Sequence, residues 1–133
     1  MIYYINKRYS VNRYEVNLLP KQDYFQKGQL TDLAYLILVS LTTPCHGYLI
    51  MNKIEEVTEG NVIIGPASLY TTLKKLTQAK FIQLLEDDGL KKVYSITNSG
   101  YEALDVEIKK RERYALYGKN ALNKIRRDSH EEI

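Results

Sequence analysis

The chain has 133 residues, with 19 Lys and Arg against 16 Asp and Glu and a net charge of +3. That is about one ordinary domain, and 44% hydrophobic with 26% charged residues excludes a disordered polyelectrolyte. A single cysteine and two histidines exclude an internal disulfide and the usual four-ligand structural zinc site.

The longest apolar run, Leu33 to Leu41, is too short to span a bilayer. The first residues, Met1-Ile-Tyr-Tyr-Ile-Asn-Lys-Arg, lack the basic, apolar and small-residue order of a signal peptide, so a cytoplasmic protein is expected. Residues 1–29 are polar and tyrosine-rich, interrupted by Pro20, and read as an N-terminal arm.

From Thr31, a suitable N-cap, Leu33, Leu36, Ile37 and Leu41 recur at helical spacing, and Pro44 closes that helix. A second helix is expected from about Gly47 to Glu59, with Ile50, Ile54 and Val57 buried and Gly60 as its stop. Val62-Ile63-Ile64 is β-branched and predicts one short strand. Gly65-Pro66 opens a third helix, because Pro costs little where an amide has no helical partner. Leu69, Leu73 and Leu76 give that helix an apolar stripe.

Phe81–Leu85 and Lys92–Ile96 predict two strands joined through the Asp88-Gly89 turn. A long helix follows from about Asn98, with Ser99 and Glu102 as a capping box. Tyr101, Leu104, Ile108, Ala115, Leu122 and Ile125 fall in one heptad frame that Arg111 and Gly118 interrupt, so a short or bent dimerisation seam is expected. The fold class is mainly α with a small β hairpin: a winged helix-turn-helix over 30–97 and a C-terminal dimerisation helix and tail over 98–133.

In that architecture the third helix offers its N-terminal half to base edges in the major groove. Ser68, Thr71, Thr72, Lys74, Lys75 and Gln78 are the small polar and basic groups such a face requires. Between Pro66 and Lys80 stand Lys74, Lys75 and Lys80 with no acid, whereas Asp32 to Gly65 holds Lys53 against Asp32, Glu55, Glu56 and Glu59. Lys91 and Lys92 place positive charge on the hairpin. Glu86, Asp87 and Asp88 oppose it, so the wing ranks below the third helix.

Leu30-Thr-Asp-Leu-Ala-Tyr-Leu-Ile-Leu, His46-Gly47-Tyr48, Gly65-Pro66-Ala67-Ser68-Leu69-Tyr70-Thr-Thr-Leu-Lys-Lys-Leu and Lys91-Lys92-Val93-Tyr94-Ser95-Ile96-Thr97 with Gly100 occur in this order. Together they make residues 30–110 resemble the PadR family of regulators. The resemblance implies a sequence-specific, DNA-binding homodimer, usually a repressor, whose C-terminal helix makes most of the dimer contact; with one recognition helix per subunit, a pseudo-palindromic operator is expected. It also implies the short subgroup with a single C-terminal helix. Ser68, Tyr70, Thr71, Lys74 and Lys75 correspond to the DNA-contacting helix, and Tyr48 to a position near the phosphate backbone. The long arm and a wing poor in arginine depart from the family pattern.

Each feature also has a structural reading. Tyr70 borders the apolar stripe and suits packing about as well as phosphate contact. Cys45-His46 lacks a third orienting group and reads as an inert thiol beside a helix-start residue. Glu86-Asp87-Asp88 lacks calcium-loop spacing and reads as a solvated turn. Tyr101, Tyr114 and Tyr117 are candidates for a small aromatic effector pocket, against the commoner role of interface packing. Lys109, Lys110, Arg111 and Arg113 read as a solvated helix face. No catalytic arrangement occurs at a recognisable spacing, so neither an enzyme nor a cofactor is expected. The competing function is a winged-helix protein-interaction module without specific DNA binding.

Overall fold

The computed structural model describes Phe25, residues 29–87, Gly89 and residues 91–131. The expected arm therefore lies outside the described residues except for Phe25, which is buried in the core.

Helix α1 spans Asp32–Ser40. Thr31 caps it as expected, its hydroxyl accepting from the Ala34 amide at 3.2 Å. Ala34, Ile37, Leu38 and Ser40 are buried, and Ser40 hides its hydroxyl by donating to the Leu36 carbonyl. Strand β1 is the dipeptide Cys45–His46, followed by a 3-10 turn at Gly47–Leu49 and helix α2 at Ile50–Val57. The expected second helix is thus shorter and begins with a tighter turn. Ile50 and Ile54 are buried, but Val57, the last residue of α2, lies past the end of the core and is exposed. Glu59 and Gly60 both take positive φ, and the Gly60 amide donates back to the Glu55 carbonyl, which stops the helix.

Helix α3 is Pro66–Gln78, with Gly65 extended as N-cap and Pro66 in the first turn. Strands β2 (Ile82–Asp87) and β3 (Lys92–Ile96) form the hairpin, and helix α4 runs from Asn98 to Glu131. The sheet is antiparallel in the order β1-β3-β2. Its third strand is Cys45–His46, not Val62–Ile64 as the β-branched run suggested. Cys45 pairs with Tyr94 and His46 with Val93, which occupies the second edge of β3. Val62 and Ile64 instead pack against the core while Ile63 is exposed.

The core gathers α1, α2, α3, the start of β2 and the first turns of α4. Leu69, Leu73 and Leu76 of α3 meet Ile37, Leu38 and Leu41 in it, beside Ile50, Ile54 and Phe81. The cap of α4 is Thr97 rather than Ser99, its hydroxyl accepting from the Gly100 amide at 3.0 Å. The expected seam on α4 divides. Leu104 is buried in the subunit's own core and Ile108 packs against it, whereas Tyr101, Ala115, Leu122 and Ile125 are exposed. Arg111 is not part of a solvated face. It ties α4 to α1 by an ion pair with Asp32 at 2.8 Å and stacks on Tyr35. No described helix is long and apolar enough to cross a membrane.

Candidate nucleic-acid interface

Helix α3 owes its orientation to its leucines. Burying Leu69, Leu73 and Leu76 removes one side of the helix from water, at about 1.5–3 kcal/mol per fully buried side chain, and so turns the other side outward. Thr72 and Thr77 donate their hydroxyls to the Ser68 and Leu73 carbonyls, back into the helix. The outer surface is then composed of Ser68, Tyr70, Thr71, Lys74 and Gln78, all exposed, with Lys75 half-buried. Gly65 supplies no side-chain cap, and a helix N-terminus of this kind favours a phosphate.

Two adjoining clefts join α3 to the wing. One is lined by Gly47, Tyr48, Tyr70, Gly89, Lys92 and Tyr94, the other by Tyr70, Lys74, Gln78, Leu84, Lys92 and Tyr94 among others. Tyr70, Lys92 and Tyr94 belong to both, so Tyr48, Tyr70, Lys74 and Lys92 lie on one continuous surface. Ser68 and Thr71 line a separate groove on the other flank of α3, against Leu33 of α1. The eight residues expected at an interface therefore come from three elements: Ser68, Tyr70, Thr71, Lys74 and Lys75 from α3, Tyr48 from the turn after β1, and Lys91 and Lys92 from the wing.

Tyr94 was not anticipated. A Cβ on Gly47 would lie 3.2 Å from the Tyr94 ring, so the glycine lets the ring pack closely against the turn after β1. Its signal lay in the period of β3, where Lys92, Tyr94 and Ile96 share a face. The wing itself is electrostatically mixed. Asp87 stands directly across from Lys92 in the β2–β3 register, and its carboxylate accepts from the Gly89 amide at 3.0 Å. A carboxylate opposite Lys92 weakens the field a phosphate would meet. The register shift between Leu84 and Glu86 marks a bulge just before this point.

The neighbouring Cys45 and His46 do not form a nucleophile and base. The Cys45 thiol donates to the His46 carbonyl at 3.4 Å, while the His46 ring stacks on Tyr48 with centroids 5.5 Å apart. Burial pushes the Cys45 thiol above its ordinary value, partly offset by the nearby Lys53 charge, so thiolate is disfavoured. Among the described residues no cluster of three His, Cys, Asp or Glu side chains is placed to hold a metal ion.

Residues 36–106 match the model of the "Transcriptional regulator PadR-like family". This chain belongs to that family. Within it, the chain is similar to the Transcriptional regulator YqjI of Escherichia coli, at 33% identity over 85 residues, covering 64% of this chain and 40% of that protein. The chain therefore spans less than half the length of that relative. Among solved structures it is similar to Bacillus subtilis PadR in complex with operator DNA, at 30% identity and a TM-score of 0.50, covering 58% of this chain and 46% of the other. The H. salinarum RosR structure shares the fold, with a TM-score of 0.56 at 21% identity, over 74% of this chain and 98% of that one. The matched segment is accordingly a PadR-like transcriptional-regulator domain.

Proposed function

We propose that this protein is a cytoplasmic homodimer that binds a pseudo-palindromic operator and represses transcription. The observation that carries the reading is the continuous surface formed by α3 and the wing, on which Tyr48, Tyr70, Lys74 and Lys92 are collected while the leucines of α3 face the core. The acid-free sequence from Pro66 to Lys80 makes that surface a counter-charge for phosphates. Ser68 and Thr71, near the N-terminal end of α3, stand where base edges would be read, and Tyr48 and Lys92 where the backbone would pass.

The dimer contact is assigned to α4 beyond Arg111. Tyr114, Ala115, Tyr117, Leu122 and Ile125 are exposed there, and an apolar stretch of that kind on a helix extending past its own domain suits a second copy of the chain. The Tyr114 and Tyr117 rings lie 6.2 Å apart, but Tyr101 is about 20 Å away along the helix axis. A small aromatic effector would therefore need both subunits to bring all three tyrosines to one pocket.

Binding to a library of random duplexes, followed by titration of the selected sequence at several salt concentrations, tests the reading. A selected inverted repeat, bound by a dimer with a steep salt dependence, is the expected result. A monomer in light scattering that selects no sequence would support the protein-interaction alternative instead.

A further inference from the structure

Helix α4 is fastened to the winged domain at two places outside the surface described above. The first is its N-terminal turn. The Thr97 amide donates to the Phe81 carbonyl at 3.0 Å, and the Thr97 hydroxyl donates to the Lys80 carbonyl at 2.7 Å. A Cβ on Gly100 would lie 2.0 Å from the Phe81 carbonyl oxygen, so the helix backbone rests directly on that peptide. Lys80, with φ of 63°, and Phe81 follow Ala79, the C-cap of α3. The start of α4 is thus pinned to the C-terminal end of the helix that faces DNA.

The second attachment is Arg111. Its guanidinium lies 2.8 Å from the Asp32 carboxylate, donates to the Leu30 carbonyl at 3.4 Å and to Glu107 at 3.3 Å, and stacks 4.4 Å from the Tyr35 ring centroid. Glu107 is buried, with its second oxygen 3.2 Å from Lys110. A planar fork meets these partners from several directions at once, which a lysine does not reproduce. The two attachments are about 16 Å apart along the helix, enough to remove its freedom to tilt. Residues 112–130 beyond them are exposed, and 112–131 extend the helix by about 30 Å.

We infer that Gly100 and Arg111 are positioning residues for operator recognition. They hold α4 as a rigid ruler that fixes the distance and rotation between the two DNA-facing helices, and with them the half-site spacing the dimer accepts. The inference rests on the dimeric, DNA-binding reading above. The leverage is geometric: a tilt of about 10° at Arg111 moves the far end of the helix by about 5 Å, more than the ~3.4 Å rise of one base pair.

The test places a spin label at Gln78→Cys in a Cys45→Ser background and measures the distance between the labels of the two subunits. The otherwise unaltered chain should give one narrow distribution. Arg111→Met should shift or broaden it by about 5 Å. In a series of duplexes differing by single base pairs between selected half-sites, Arg111→Met should also reduce the preference for the best spacing by about tenfold. Its affinity for a single half-site should not change. Ile54→Val, which loosens the core away from both attachments, should lower stability and leave both profiles intact.

An Arg111→Met dimer with the parental distance and spacing profile would overturn the inference alone. If that variant fails to fold, Asp32→Asn, which alters an exposed carboxylate, is judged by the same two readouts. Absence of any inter-subunit distance in the parental chain would overturn the dimeric reading and this inference with it.

Discussion

Gly100 and Phe81 touch backbone to backbone: a methyl group on Gly100 would lie 2.0 Å from the Phe81 carbonyl oxygen and 2.8 Å from its carbon. The obstacle is main chain, not the flexible end of a side chain, so α4 or the α3–β2 junction would have to move. Gly100→Ala is expected to destabilise the protein by about 1–3 kcal/mol, read as a lower urea midpoint at unchanged slope. An unaltered midpoint would show that the junction yields without cost.

The two sides of α3 should respond in opposite ways. Leu73 is 2% exposed, so Leu73→Ala is expected to cost about 2–5 kcal/mol of folding stability. Replacing Lys74 and Lys75 together with Ala should leave the unfolding midpoint close to that of the parent. It should weaken operator binding, with the slope of log affinity against log salt flattened by about 0.9 for each phosphate no longer neutralised. Salt titrations that superimpose for the two proteins would take both lysines out of the interface.

Leu122 and Ile125 are exposed in the single subunit, at 55% and 61%, on the part of α4 that has left the domain. Carboxylates there would carry uncompensated charge into an apolar contact. Leu122→Asp with Ile125→Asp is expected to give a monomer by light scattering, with helix content and core stability largely retained. Operator affinity should then fall to that of one half-site. A variant that stays dimeric would move the contact elsewhere.

Cys45 offers a pH-dependent readout. Burial raises its thiol above the ordinary 9.0, with Lys53 acting in the opposite direction. In the folded chain it should therefore be alkylated by iodoacetamide more slowly than a free thiol at the same pH, and at the free rate in denaturant. Lys53→Ala should slow it further. The linkage has a definite sign. Because the unfolded chain ionises first, stability is unaffected well below pH 9.0 and falls as pH rises above it. Equal alkylation rates in the folded and unfolded chains would contradict the shift.

Much of the fold was legible in the sequence because local patterning and burial agree there. The leucine period of α3 and the Thr31 cap each encode their element within a few residues, and α3 turns the expected side to the core. The outward residues of α3 followed from the same period, since one buried stripe leaves one exposed face. The exceptions were short or long-range. Val62–Ile64 has the composition of a strand but no place in the sheet, because Cys45–His46 occupies the free edge of β3. Composition ranks propensity and says nothing of which segment reaches an edge.

By itself the sequence determined the helices, the hairpin, the outward side of the third helix and the family, because these depend on spacings within a turn or two and on motifs in register. Only the tertiary structure decided that Tyr94 underlies the α3–wing surface, that Leu104 belongs to the subunit's own core and that Arg111 binds α1. Those facts depend on which distant residues meet: Arg111 and Leu30 are far apart along the chain, yet the guanidinium lies 3.4 Å from the Leu30 carbonyl. A heptad frame records which way a side chain points along one helix, while the partner waiting there is fixed by how the helices cross.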